Sequence, residues 1–182
     1  MLQTLLGKDG FKRGLDQYIR EHDGSSATCE DFLNAMAEAN MRNLDQFERW
    51  YTQAGTPHVR VHTHWNEKNS TYKVTLTQFC PPTPGQSKKE PFFIPFDIAL
   101  FNSKGNPILL QLQEETTPKG TSRVLELTEE EHSWVFIGVK ERPIPSLARN
   151  FSAPIIVDYK YSPEELVFLS QCDNDPFNRA QA

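Results

Sequence analysis

Cysteine is scarce in this chain of 182 residues: Cys29, Cys80 and Cys172 are the only three, and they lie far apart. Such spacing excludes the close pairs of a zinc finger and the dense frameworks of small secreted domains. It predicts three buried thiols in a reducing, cytoplasmic setting. Long apolar runs are missing as well. No window approaches the roughly 18 apolar residues of a membrane span, and the N-terminus lacks a basic flank, an apolar run and a small-residue cleavage site. A soluble chain with no membrane partner is expected. Charge of one sign is also in short supply. Residues 1–56 hold 6 Lys and Arg against 9 Asp and Glu, residues 57–160 hold 12 against 11, and residues 161–182 hold 1 against 4. No basic stripe results, which argues against nucleic acid as a partner.

Catalytic signatures are absent too. There is no H-E-x-x-H, no G-x-S-x-G, no Walker loop and no G-x-G-x-x-G, so zinc-hydrolase, serine-nucleophile and nucleotide-binding settings are all missing. The nearest approach to a metal site is His58, His62 and His64, which share one face of a strand. His58 and His62 lie roughly 13 Å apart along a strand, too far to share an ion, while His62 and His64 are just close enough. No carboxylate or Cys joins them, so a polar outer face or an interface is the better account. His22 suits the last turn of a helix. Glu129, Glu130 and Glu131 fit a solvated turn, and Tyr18, Trp50 and Trp134 fit core packing. No catalytic, cofactor-binding or metal-binding residue is assigned.

What the sequence does contain is a change of period. Met1, Leu2, Leu5 and Leu6 open the chain as an uncapped helical stripe, and Phe11, Leu15, Tyr18 and Ile19 form another that stops at Asp23-Gly24. Thr28 caps a second helix with Glu30 and Asp31 in its first turn and Phe32, Leu33 and Met36 turned inward. Asn43 caps a third, burying Leu44, Phe47, Trp50, Tyr51 and Ala54 and ending at Gly55 and Pro57. Beyond Pro57 the apolar residues alternate. Half-buried strands are predicted around Val59–Val61, Tyr72–Leu76, Ile94–Leu100, Ile108–Leu112, Arg123–Leu127, Trp134–Val139 and Ile155–Tyr159. The Pro-rich tracts Pro81–Pro84 and Arg142–Pro145 are expected as connections, because Pro cannot donate to a central ladder. Ser162-Pro163-Glu164-Glu165 is a capping box that opens a helix through Leu166, Phe168 and Leu169.

These patterns give an α+β chain: a short helical segment, then an all-β antiparallel sandwich of immunoglobulin-like or fibronectin-like type, then the start of a C-terminal helix. Three units are expected, over residues 1–56, 57–161 and 162–182. The uncapped first helix and the late last one predict a piece cut from a longer polypeptide, with stripes at Leu2, Leu5 and Leu6 and at Leu166, Phe168 and Leu169 whose partners lie outside it. Self-association through those stripes is a consequence.

Residues 40–61 contain a W-x-x-Q-x-G-x-P core, here Trp50, Gln53, Gly55 and Pro57. This stretch resembles the join between the catalytic and β-sandwich domains in the bacterial aminopeptidase N family of zinc metalloaminopeptidases, the gluzincins. Leu5-Leu6-Gly7, the segment 22–28, Ile94-Pro95-Phe96, Phe151-Ser152-Ala153-Pro154 and the segment 174–179 look like the same proteins. The resemblance implies a parent that removes N-terminal amino acids from peptides. In it a His, His, Glu zinc site polarises water and the peptide carbonyl, a G-x-M-E-N segment binds the free amine, and a Tyr supports the oxyanion. None of those motifs matches a position here. What it implies for this chain is a non-catalytic piece without zinc of its own, whose partners are the parent's remaining domains and, for the parent, peptide substrates. The rival from the residues alone is a freestanding sandwich that binds a ligand on its His58, His62 and His64 face.

Overall fold

The computed structural model describes residues 1–182. Helix α1 spans Leu2–His22 and is interrupted by non-helical backbone at Gly7, which separates the leucine stripe from the remainder. Helix α2 spans Cys29–Ala39 and begins as its residues dictate: the Thr28 side chain accepts from the Asp31 amide while the Asp31 carboxylate accepts from the Thr28 amide. The two helices pack closely because Gly10 and Gly14 present no side chain to α2. A methyl group at Gly14 would collide with Met36. Asn40 fills the space over Gly10, donating to the Gly10 and Met36 carbonyls at 2.9 Å each and accepting from Arg13.

The expected third helix is a 3₁₀ turn, Asp45–Glu48, followed by one α-turn, α3, Arg49–Thr52. Leu44 and Phe47 are buried as expected, but Trp50 is half-buried, Tyr51 is 49% exposed and Ala54 is open to solvent. The same holds for Ile19, 53% exposed on α1. The helix stops short of the expected Ala54 because Gln53 is already extended. Gly55 is therefore no helix cap. Its φ of +103° serves a close approach, since a Cβ there would sit 2.8 Å from the Cys80 sulfur.

Seven strands follow: β1 His58–Asn66, β2 Thr71–Phe79, β3 Ile94–Phe101, β4 Ser122–Leu127, β5 Glu131–Phe136, β6 Ile144–Leu147 and β7 Ile156–Asp158. They form two sheets, ordered β5-β2-β1-β7 and β4-β3-β6. All pairings are antiparallel except β1 with β7, which run parallel. Between the sheets lies one apolar layer containing Val59, Val61, Val74, Leu76, Ile94, Phe96, Ile98 and Leu100. That is the immunoglobulin-like α+β architecture expected from the alternation.

Two strands differ from expectation. Ile108–Leu112 is not a strand: isolated bridges at Pro107 with Phe101 and Leu112 with Phe136, and a bond from the Ile108 amide to the Leu100 carbonyl, tie it to the sheets. The edge beside β3 is taken by β6, which overlaps the tract Arg142–Pro145 expected to be a connection. Pro145 is tolerated there because β6 is an edge strand, paired with β3 on one side only. Strand β3 is also not half-buried: all eight of its residues are buried. Its second face is covered by the 149–152 turn at Asp97 and by helix α4, Pro163–Cys172, which is followed by α5, Pro176–Gln181. Leu169 of α4 packs on Ala99 and Phe101, and α4 opens with the predicted capping box between Ser162 and Glu165. The expectation that both terminal stripes lack partners in the chain is accordingly corrected. Leu2 is 7% exposed among Leu33, Met36, Leu44, Phe47 and Phe93, and Leu169 is 3% exposed.

Candidate functional site

The polar chemistry of the molecule is concentrated where the sandwich meets the helices on either side of it. At the first joint, residues Glu90–Phe93 run into β3 without belonging to a strand, so their backbone groups need partners other than a ladder. Side chains supply them. The Glu90 carbonyl accepts from Gln53 Nε2 at 2.9 Å, the Pro91 carbonyl from Gln46 Nε2 at 3.0 Å and from Arg49, the Phe92 carbonyl from Gln78 Nε2 at 2.9 Å and the Phe93 carbonyl from Trp50 Nε1 at 2.8 Å. In return, Gln53 and Gln78 accept from the Glu90 and Phe92 amides, each at 2.8 Å.

Four consecutive carbonyls are thus read by side chains, and three of the four by the helical segment. Gln46, Arg49, Trp50 and Gln53 recur at i, i+3, i+4 and i+7, so even this short 3₁₀ and α stretch turns them to one side. Gln46 and Gln78 reach further, to the carbonyls of Thr128 and Glu129 between β4 and β5. Below them the Lys89 ammonium donates to the Ala54 carbonyl, Thr83 Oγ1 and Gln86 Oε1 at 2.7, 2.6 and 3.0 Å. It ties the exit from the helix to the loop after β2.

At the second joint, Arg149 is 5% exposed and donates to Asp173 Oδ1 at 2.9 Å, to Ser146 Oγ at 3.1 Å and to Asn174. Asp173 ends α4 and Asp175 caps α5, accepting from the Phe177 amide at 3.0 Å. Asp175 also accepts from the Asn150 amide at 2.6 Å, and Asn178 donates to Ser146 and to the Leu147 carbonyl. The turn that supplies these contacts is strained: Ala148, Asn150 and Phe151 all have φ near +50°. The segments 151–154 and 174–179, distant in sequence, are brought together here.

Asp97 of β3 completes this cluster, accepting from Asn150 Nδ2 at 3.1 Å while its Oδ1 has no partner. Burial pushes its carboxyl above the ordinary value, against the opposing pull of Asn150 and Arg149. A carboxylate with a raised value in the fold lowers stability when ionised, and that cost disappears as pH falls through the folded value. Asp97→Asn is therefore expected to stabilise the chain at neutral pH by about 1 kcal/mol, with the advantage shrinking in acid. Urea unfolding of both proteins at several pH values checks this; a destabilised Asn variant at pH 7 would sink it.

The residues singled out in the sequence fall elsewhere. His58, His62 and His64 lie on the outer face of β1, where His58 stacks on Phe79 and the other two stand opposite Thr75 and Lys73. No three His, Cys, Asp or Glu side chains converge as metal ligands would. Glu129 and Glu130 are exposed, and Glu131 begins β5, accepting from Thr77. Trp134 contacts His132, and Tyr18 contacts His22 and Phe32. The three thiols are not all buried: Cys29 is exposed, and Cys80 and Cys172 are half-buried against Gly55 and Gly105. Trp50 lies on the expected segment and Gln53 belongs to the motif read there, but the joint also uses Gln46 and Arg49, which the sequence reading does not single out. Their spacing on the face of Trp50 was the available signal.

Comparison with known proteins places these joints in context. The model described as "Domain of unknown function (DUF3458) Ig-like fold" matches residues 55–160, and the peptidase family M1 domain matches residues 1–51. The chain belongs to the M1 aminopeptidase N family. It is 43% identical to aminopeptidase N of Haemophilus influenzae and 40% identical to that of Escherichia coli, each over all 182 residues and 20% of the relative. Among solved structures, Legionella pneumophila aminopeptidase A in complex with aspartic acid superposes with a TM-score of 0.82 at 27% identity, over the whole chain and 19% of that protein. The chain thus spans about a fifth of the length of the aminopeptidases it matches. The two family matches meet at residues 51 to 55, beside Gln53 and within the first joint.

Proposed function

We propose that this chain is the connector of a cytoplasmic zinc aminopeptidase: a rigid sandwich that holds a catalytic domain and a C-terminal domain at a fixed separation and orientation. The division into residues 1–56, 57–161 and 162–182 is part of this proposal. The observation that carries it is the run of four carbonyls, Glu90 to Phe93, held by side chains on both sides of the first joint. A flexible linker would leave such groups to water, whereas side chains that satisfy each carbonyl in turn fix the angle at which helix and sheet meet. The zinc belongs to the rest of the parent, where it would polarise water and a carbonyl. The residues of this chain do not fit it, because the three outer-face histidines are spread along β1 and do not converge, and no catalytic step is assigned to them. No helix is long and apolar enough to cross a membrane.

Two measurements test the proposal. The isolated chain should not cleave aminoacyl amides with or without added zinc. A chimera of the Haemophilus influenzae aminopeptidase N, with this chain in place of its aligned segment, should keep activity within about tenfold of the parent. Chelator-sensitive turnover by the isolated chain, or a folded but inert chimera, would overturn it.

A further inference from the structure

Near the turn that joins β1 to β2 lies a half-open pocket of about 410 Å³. Thr63 and the cross-strand pair Trp65 and Tyr72 form one wall. The others come from Tyr159, from Arg142 and Pro143 on the way into β6, and from Glu165 in the first turn of α4. Of the three outer-face histidines, only His64 edges it. Its hydrogen-bonding capacity exceeds what the chain uses. Thr63 Oγ1 and the Tyr159 hydroxyl stand 3.5 Å apart, beyond an ordinary O–H···O bond, and the Tyr72 hydroxyl lies beside both. Tyr72 is 3% exposed, and burial keeps its hydroxyl protonated. Three neutral hydroxyls that meet only one another, at long range, have donors to spare.

Charge in the pocket is unpaired as well. Arg142 is exposed and enters no ion pair of the chain. Glu165 is half-buried, accepts from the Ser162 amide through Oε2 at 2.9 Å and keeps Oε1 free. A carboxylate is the acceptor that suits Arg142 and the hydroxyls, and an ammonium is the donor that suits Glu165. A phosphate or a dicarboxylate would meet Arg142 but face the like charge of Glu165. Trp65 and Pro143 add apolar surface beside these groups, and a few polar groups converging in an aromatic-lined pocket are the usual form of a small-molecule site. We propose that this pocket binds a free α-amino acid with an aromatic or large apolar side chain, its carboxylate held by Arg142 and the hydroxyls and its ammonium by Glu165. The ligand class is also the one that the proposed aminopeptidase releases, but the argument for binding rests on the lining alone.

Nuclear magnetic resonance on the isotope-labelled chain reads the pocket directly, because the Trp65 indole N–H, held on the Val139 carbonyl at 3.0 Å, has a signal of its own. Titration with L-phenylalanine should move that signal, with half-saturation at about 1 mM or below, and leave the Trp50 indole signal in place. L-Phenylalaninamide lacks the carboxylate and N-acetyl-L-phenylalanine lacks the ammonium, so each should bind about tenfold or more weakly. The same loss is expected for L-phenylalanine on Arg142→Gln, at an exposed position, and on Glu165→Gln, which can still accept from the Ser162 amide. A Trp65 signal that stays still up to about 10 mM L-phenylalanine, equal binding of the three compounds, or unchanged binding by Arg142→Gln would each overturn the proposal. Arg142→Cys in the Haemophilus influenzae chimera tests the pocket in the longer polypeptide. Its thiol should react with a maleimide within about threefold of its rate in the isolated chain, and slower labelling would overturn the proposal by showing the pocket filled. None of these readouts is aminopeptidase activity, so an inert chimera counts against the connector proposal alone.

Discussion

Replacing Arg149 by Met should cost about 3–5 kcal/mol, because it strands a buried carboxylate. Asp173 is 1% exposed and its partners are Arg149, Ser146 and the Asp175 amide. With the guanidinium gone, a hydroxyl and an amide remain to support a full negative charge. The long apolar stem of Met preserves much of the packing near Phe101, over which the guanidinium now sits at 5.9 Å, so the loss reports the charge rather than a cavity. Removing both charges, with Arg149→Met and Asp173→Leu together, should recover part of the loss, since a buried pair contributes little net stability over an apolar pair. Urea unfolding followed by circular dichroism measures all three proteins. A single variant within about 1 kcal/mol of the parent would show that water reaches Asp173 and that the second joint is not sealed.

Much of the fold was legible because its signals are local. Thr28 and Ser162 announce helix starts through side-chain bonds to residues three positions on, which a sequence shows directly. The alternation of Val59 and Val61, and of Tyr72, Val74 and Leu76, follows from the two-residue repeat of a strand with one wet face. Illegible features depend on what lies opposite. Ile108–Leu112 and Ile144–Leu147 both contain apolar residues, but the second forms the strand because β3 offers it an open edge, and Pro145 misleads only a reader who assumes a central position. Burial of both faces of β3 likewise reflects α4, sixty residues later.

The joints were harder still. The W-x-x-Q-x-G-x-P core drew attention to Trp50 and Gln53, but their partners Glu90 and Phe93 lie about forty residues away and present only backbone, which has no sequence signature. Arg149 and Asp173 are 24 residues apart and nothing local in the sequence pairs them. Only the fold puts them where water does not reach. Buried polar clusters of this kind offer few alternatives for docking, since any other arrangement leaves a carbonyl or carboxylate unpaired. The result is a preference for one relative orientation of the parts.

Trp50→Ala should have an equally large effect at the first joint, about 3–5 kcal/mol, and a different character. The indole touches both apolar clusters of the chain, the helical one around Phe47 and Phe93 and the sandwich one around Phe92, whose ring lies 4.5 Å from it. Truncating an aromatic in this position removes packing from two cores at once, and the cavity it leaves is bridged by neither. The hydrogen bond to the Phe93 carbonyl adds a smaller share, about 1 kcal/mol, and Trp50→Phe isolates it by keeping a ring while deleting the donor. The two variants therefore separate packing from hydrogen bonding, with packing the larger. Because Trp50 is where the cores meet, its loss should also uncouple them. Unfolding of the Ala variant in guanidinium, monitored by hydrogen exchange, should show α1 and α2 opening before β1 to β3, whereas the unsubstituted chain should open as one unit. A Trp50→Ala chain that loses less than about 1.5 kcal/mol and still unfolds in a single step would show that Gln46, Arg49 and Gln53 hold the joint without it.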